Sequence, residues 1–331
     1  MRHRCGKTMI AIALAASVFL GGCHGVDRKE QAHLRDAGTA AMAAGNFEEA
    51  EKDFKDAIAL SGGHVSDAEI DLTYYLGACY FLQNRYEDAI KVYGNLLTYN
   101  EKDAQALFLR GSVYLKIEDA KKALADYRKA TELAPKDYEL ALAIYENLKA
   151  NGKKGRANDF LNAALEIEGE EAENFYYRGR IYQFLGREDM AETAFRRAMD
   201  GGCSDASVYL AKAYMEKGQK KKARKVAAFY VNKDDPAIEE SVLAGELLLV
   251  TEQYEKANEV YVAALAKEEE EKEKKKNGTY SEYHKELLKG QIAALEYDGE
   301  FEEALSLAEA YLAMYPSDQN MVREVSFLEE R

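Results

Sequence analysis

One stretch limits what this chain can become more than any other. Residues 104–137, AQALFLRGSVYLKIEDAKKALADYRKATELAPKD, read as two amphipathic helices with a tight turn at Glu118–Asp119. Gly111, Ala123 and Ala130 put small side chains where the helices must touch, Leu107, Tyr114 and Tyr127 place large ones at helical spacing, and Pro135 closes the unit. A hairpin of this length cannot bury its own apolar face, so it needs copies of itself on both sides. Taking Ala123 as a marker, the copies follow: Ala50, Ala89, Ala157, Ala191, Ala223, Ala257 and Ala304 give successive gaps of 39, 34, 34, 34, 32, 34 and 47 residues. A fixed period of this kind selects an array of stacked helical hairpins.

The units are about 31–64, 70–103, 104–137, 138–171, 172–203, 204–237, 238–271 and 285–318. The first fits through Gly38, Gly45, Phe47, Ala50, Phe54 and Ala57, and the second through Gly77, Tyr80, Tyr86, Ala89 and Tyr93 after an insertion at 65–69. The fifth carries Gly179, Tyr182, Gly186, Ala191, Phe195 and Ala198; the sixth Ala211, Tyr214, Gly218, Ala223 and Tyr230. The seventh carries Gly245, Leu248, Tyr254, Ala257, Tyr261 and Ala264, and the eighth Leu295, Gly299, Phe301, Ala304, Tyr311 and Pro316. The fourth departs most: Tyr145 stands in the small-residue slot and Lys154 replaces an aromatic, two changes that bear on how its helices pack. Pro135, Pro236 and Pro316, the three prolines of the chain, fall at unit ends, where lost helical hydrogen bonds cost least. A long coiled coil would need a sustained seven-residue pattern and would not carry glycine at this spacing.

This arrangement of small residues, aromatics and closing prolines resembles the tetratricopeptide repeat. The resemblance implies an all-α solenoid, a right-handed superhelix of antiparallel helix pairs. It also implies that the first helix of each unit lines a concave groove for an extended peptide or a partner helix. Mapped onto this chain, the candidate groove residues are Tyr74, Phe81, Phe108, Leu115, Tyr176, Arg180, Gln183 and Phe184, with charged neighbours such as Glu139, Glu173, Lys212 and Glu246. Aromatic anchors among a few charges suit peptide capture. The Asn and Lys pattern by which some repeat proteins clamp a terminal carboxylate is absent. Thr39, Ala78, Ser112, Glu146, Arg180, Lys212, Glu246 and Ala293 occupy the matching asparagine slots.

The N-terminus reads as an address. Arg2, Arg4 and Lys7 precede an apolar run from Met9 to Leu20, the signature of an export signal and too short to span a bilayer comfortably. Leu20-Gly21-Gly22-Cys23 then resembles the bacterial lipobox, which implies cleavage after residue 22 and a diacylglycerol on Cys23. Residues 23–30 would form the lipidated tether, and His24 after the cysteine would permit outer-membrane sorting in a Gram-negative envelope. Residues 272–284 form a charged insertion within the stretch KEEEEKEKKKNGTYSEYH (267–284). There the helix of the seventh unit is expected to run on as a solvated extension with Glu–Lys pairs three and four residues apart, then turn at Asn277–Gly278. Residues 319–331 would cap the open end.

Charge and motif content exclude other classes. The net charge is −14, and removing Arg2, Arg4 and Lys7 takes it to −17, which argues against nucleic acid. The five histidines, His3, His24, His33, His64 and His284, form no metal-ligand pair or nucleophile motif, and no phosphate-binding glycine loop is present. Outside the N-terminal region, Cys79 and Cys203 sit in different units, with Cys79 placed among core residues and Cys203 in a turn. No cofactor, metal or catalytic residue is expected. The expected function is a lipid-anchored, non-catalytic scaffold or adaptor for protein or peptide partners at the cell envelope. A glycan- or solute-capturing lipoprotein and an accessory subunit of an envelope assembly or secretion complex are the alternatives.

Overall fold

A computed structural model describes residues 28–63, 65–232, 234–274, 278–316 and 318–331. The expected signal segment, Cys23 and Asn277 of the expected turn lie outside these residues. The described chain holds seventeen α-helices and no strand, and it divides into two compact units at Glu168–Gly169. The first unit contains α1 (Arg28–Ala43), α2 (Phe47–Ala59), α3 (Asp67–Leu82), α4 (Tyr86–Tyr99), α5 (Ala104–Lys116), α6 (Ala120–Leu133), α7 (Tyr138–Ala150) and α8 (Lys154–Leu165). The second contains α9 (Ala172–Phe184), α10 (Glu188–Asp200), α11 (Ala206–Glu216), α12 (Lys220–Val231), α13 (Ile238–Val250), α14 (Tyr254–Lys274), α15 (His284–Asp298), α16 (Phe301–Met314) and α17 (Gln319–Glu329). Within each unit every helix packs on its neighbours in sequence, and pairs such as α1 with α3 and α13 with α15 also touch across one intervening helix. That is the contact pattern of a solenoid.

The marker alanines decide the core. All eight, from Ala50 to Ala304, are at most 1% exposed. Each lets the second helix of its hairpin approach the first, and in five of the eight a large ring sixteen residues after the small slot fills the remaining space. Gly38 faces Phe54, Gly77 faces Tyr93, Gly111 faces Tyr127, Gly179 faces Phe195 and Gly245 faces Tyr261; a Cβ at any of them would lie 2.3–2.7 Å from the ring. The rings therefore sit where any side chain on the opposite helix would be. Tyr261 meets a second glycine as well, since a Cβ on Gly290 of α15 would stand 2.3 Å from its Cζ.

The fourth repeat changes the pair. Tyr145 takes the small slot and Leu161 the position of the ring, and both are buried, at 1% and 0% exposure. The eighth repeat changes it too, with Ile292 and Ala308, 2% and 0% exposed. In the eighth the bulk moves from one helix to the other, whereas the fourth keeps a large side chain on both helices.

The hairpin turns need a residue in the left-handed region. Glycine supplies it at Gly45, Gly152, Gly186, Gly218 and Gly299, but Asn84, Glu118 and Glu252 hold the same position with φ of 58°, 61° and 57°. Non-glycine residues pay a steric cost there. Aspartates cap α5, α6 and α7: Asp103 accepts from the Ala106 amide at 3.0 Å, Asp119 from that of Lys122 at 3.1 Å and Asp137 from that of Leu140 at 2.8 Å.

Two sequence expectations are corrected. The first helix begins at Arg28, so residues 28–30 are helical rather than tether. The seventh repeat's second helix does run on, as the 21-residue α14, and Glu269–Lys272 and Glu270–Lys274 form the expected ion pairs at 2.8 and 3.8 Å. Its acidic run is not a solvated face throughout, however. Glu268 is 1% exposed; it accepts from the Ser281 amide at 2.7 Å and lies 2.7 Å from Nδ1 of His284, itself 6% exposed. Ser281 and His284 thus occupy the Glu268 carboxylate internally, because a buried polar group must find partners. The Tyr280 ring stacks on His284 with centroids 3.7 Å apart, and the Lys272 ammonium lies 3.9 Å from the Tyr280 ring centre.

Candidate functional site

The eight candidate groove residues separate into three that are packed away and five that are half-buried. Tyr74 is 6% exposed, Leu115 5% and Tyr176 1%. Tyr74 lies 6.4 Å from Tyr93, and burial together with the Asp103 carboxylate holds its phenol well above the usual tyrosine range. These three serve the interior of their repeats, so removing them would damage packing before it touched any partner. Phe81, Phe108, Arg180, Gln183 and Phe184 keep part of their side chains at the surface.

The half-buried rings are held rather than loose. Phe81 sits edge-on to Tyr86 with centroids 5.8 Å apart, and Phe108 leans over Tyr127, also at 5.8 Å. Beside Phe108, Ser112 on the same helix lies 3.2 Å from the Tyr127 hydroxyl, and Asn147 of the next repeat donates to the Ser112 hydroxyl at 3.0 Å. Burial pushes the Tyr127 phenol up to about 12, against the opposing pull of Ser112 and Asn147. A guanidinium–carboxylate fork braces the same hairpin: Arg110 Nε and Nη2 each donate to Asp126 at 2.8 Å. A fixed aromatic surface of this kind loses little freedom when a partner arrives.

Around Arg180 the second unit gathers four aromatic or cationic groups. Phe195 of α10 stacks on Tyr209 of α11 at 5.6 Å, and Tyr209 in turn meets Tyr176 of α9 edge-on at 5.6 Å. The Arg180 guanidinium lies 5.7 Å from the Tyr176 ring centre and 5.6 Å from that of Tyr209, while the Lys212 ammonium is 5.9 Å from the latter. Burial, then the neighbouring Tyr209, raises the Tyr176 phenol far above the usual range, so it stays neutral. Sequence reasoning found Tyr176, Arg180 and Lys212 but missed Tyr209. A signal for it exists. Tyr75 precedes Gly77 by two residues as Tyr209 precedes Ala211, and each stacks on the phenylalanine of the preceding repeat, Tyr75 on Phe54 at 5.2 Å.

A separate cleft of about 380 Å³ opens between α9 and α10, lined by Phe175, Arg178, Tyr182, Asp189, Met190, Thr193, Ala194 and Arg197. Arg178 and Arg197 lie 5.8 and 5.3 Å from the Phe175 ring centre. Cys79 and Cys203 are 0% and 1% exposed and form no disulfide with each other. Among the described residues no group of three His, Cys, Asp or Glu side chains is gathered as metal ligands, and no helix is long and apolar enough to cross a membrane.

Comparison with known proteins agrees with the helical pattern. Residues 35–93, 80–138 and 172–200 match family models described as tetratricopeptide repeat. Outer envelope protein 61 of Arabidopsis thaliana is 28% identical over 114 residues, which is 34% of this chain and 20% of that protein, so the chain spans about a fifth of its length. A tetratricopeptide repeat protein from Parabacteroides merdae aligns at 16% identity over 81% of this chain and 99% of its own, with a TM-score of 0.40. A thermophilic TPR protein of Thermus thermophilus aligns at 18% identity over 56% of this chain and 99% of its own, with a TM-score of 0.36. The described chain is an all-α solenoid, and its residues 35–138 and 172–200 carry tetratricopeptide repeats, a fold that generally binds protein partners without catalysing a reaction. No enzyme family is indicated.

Proposed function

We propose that this protein is a membrane-anchored, non-catalytic scaffold that holds a protein or peptide partner at the cell envelope. One observation carries the reading. Phe81, Phe108, Arg180, Gln183 and Phe184 recur on the first helices of their hairpins, half-exposed. Each repeat spends its glycine, alanine and large-ring positions on its own closure, and these side chains are left over for recognition. The lipobox Leu20–Cys23 supplies the anchor in this reading, since acylation at the cysteine would tether the whole array to a membrane.

Photocrosslinking in cells tests the surface. A photoreactive residue at Phe81, Phe108 or Phe184 is expected to trap the same partner protein, while one at Tyr99, a 62% exposed residue on a second helix, traps none. Equal trapping at Tyr99, or none at the other three, removes the groove. Fractionation of a Cys23→Ser variant tests the anchor separately: the protein should leave the membrane fraction, and continued attachment through its N-terminus would disprove lipidation.

A further inference from the structure

We propose that the surface formed by Arg180, Lys212 and Tyr209 recognises a single acidic side chain, Asp or Glu, within an extended segment of the partner protein. The inference rests on the reading of the first-helix surface as a protein-binding groove, and adds the chemistry of one contact.

Arg180 is the reason. It is half-buried, and its Nε has no hydrogen-bond partner although that atom is shut off from solvent. Other cations of the chain have found carboxylates: Arg110 has Asp126, Arg85 has Glu51 and Asp88, Arg196 has Glu192, and Lys217 has Glu188 and Asp189. Arg180 instead faces the rings of Tyr176 and Tyr209. Burial keeps the Tyr176 phenol protonated, so that ring is no anion. Asp205, beside the start of α11, is the acidic group whose charge Tyr176 feels. The guanidinium thus keeps donors that no carboxylate of the described residues occupies, and an incoming carboxylate can take them.

Lys212 adds a second positive charge at the same ring, and the Phe195–Tyr209–Tyr176 stack fixes the ring's orientation. A carboxylate docking at Tyr209 therefore meets a planar fork from α9 and a point charge from α11. Both cations occupy slots that would hold asparagine in a terminal-carboxylate clamp, which favours an internal acidic side chain over a chain end. The chain's own charge of −14 restricts the ligand further. It repels polyacidic tracts at long range, so the ligand is one acid in a mainly apolar or neutral segment.

Panning a phage-displayed random peptide library against the full chain, lipid anchor removed, tests this without knowing the partner. The wild type should select peptides with one fixed Asp or Glu beside apolar residues. The double variant Arg180→Gln/Lys212→Gln, checked for unchanged helicity, should keep the apolar preference and lose the acid. A selected peptide made with an amidated C-terminus should bind the wild type, and changing its acid to the amide should weaken binding about tenfold or more. Arg180→Lys, which keeps charge but not the fork, should retain part of that preference. An apolar consensus without an acid overturns the inference and leaves the groove standing. An acid retained on the double variant, or binding that requires a free C-terminus, also overturns it. No enrichment on the wild type overturns the inference and the groove reading together.

Discussion

The third hairpin and the junction between the seventh and eighth solve the same problem by different means. In the third, Gly111 and Tyr127 close the helices by shape: the ring fills the space a side chain would need, and helix joins helix at the preset distance. At the junction, thirteen extra residues break the period, and shape alone no longer sets where α15 lies against α14. Tyr261 still contributes volume against Gly245 and Gly290, but direction comes from Glu268, which bonds His284 and the Ser281 amide. Repetition allows packing without polar atoms; an interruption calls for bonds that hold only in one geometry.

If that contrast is right, substitutions should rank accordingly. Tyr127→Ala should cost most, ~3–5 kcal/mol, as a large cavity opens beneath Gly111, and a thermal melt should show it as a lower midpoint. A loss no larger than that from Glu268→Ala would reverse the comparison. Glu268→Ala should cost ~1–3 kcal/mol by leaving His284 and the Ser281 amide buried without their acceptor. Glu268→Gln, which can still accept from that amide, should cost less in the same melt. The third and seventh hairpins share a strained turn, and there the sign changes. Glu118→Gly and Glu252→Gly should each stabilise by up to ~1 kcal/mol, because glycine adopts the left-handed angle without the Cβ penalty. Destabilisation by either would mean that the side chain contributes more than its backbone costs. Smallest of all, Glu269→Ala should leave the melt unchanged even though Glu269 raises the pKa of Lys272, since the pair is exposed to solvent. A clear loss would show that the spacer depends on its surface charges as well as on Glu268.

Much of this architecture is legible in the residues alone. The period, the eight hairpins and the positions of the tight turns follow from small residues and rings at fixed spacing, because closure is a local matter of volume within one repeat. The change at Tyr145 and Leu161 is harder to read. It needs the partner sixteen residues away, and a motif that asks for a small residue registers only the violation. Glu268 is harder still. In sequence it is one of four successive glutamates, and only its contacts with Ser281 and His284 single it out. The exposure of the candidate groove residues is partly legible for the same reason: position on the first helix is periodic, but burial depends on what the adjoining helices bring. Tyr74, Leu115 and Tyr176 meet large neighbours and vanish into the core, whereas Phe81, Phe108, Arg180, Gln183 and Phe184 stay within reach of solvent.

The bond from Asn147 to Ser112 has a consequence for how the first unit opens. It crosses from one repeat to the next and ends on a hydroxyl that also touches Tyr127. In a nearest-neighbour array, each interface sets how strongly adjacent repeats fray together. Amide protons of α5, α6 and α7 should therefore exchange with solvent as one block, and Asn147→Leu should split that block so that α7 exchanges first. The unit of opening would then be a pair of repeats, larger than the unit of sequence.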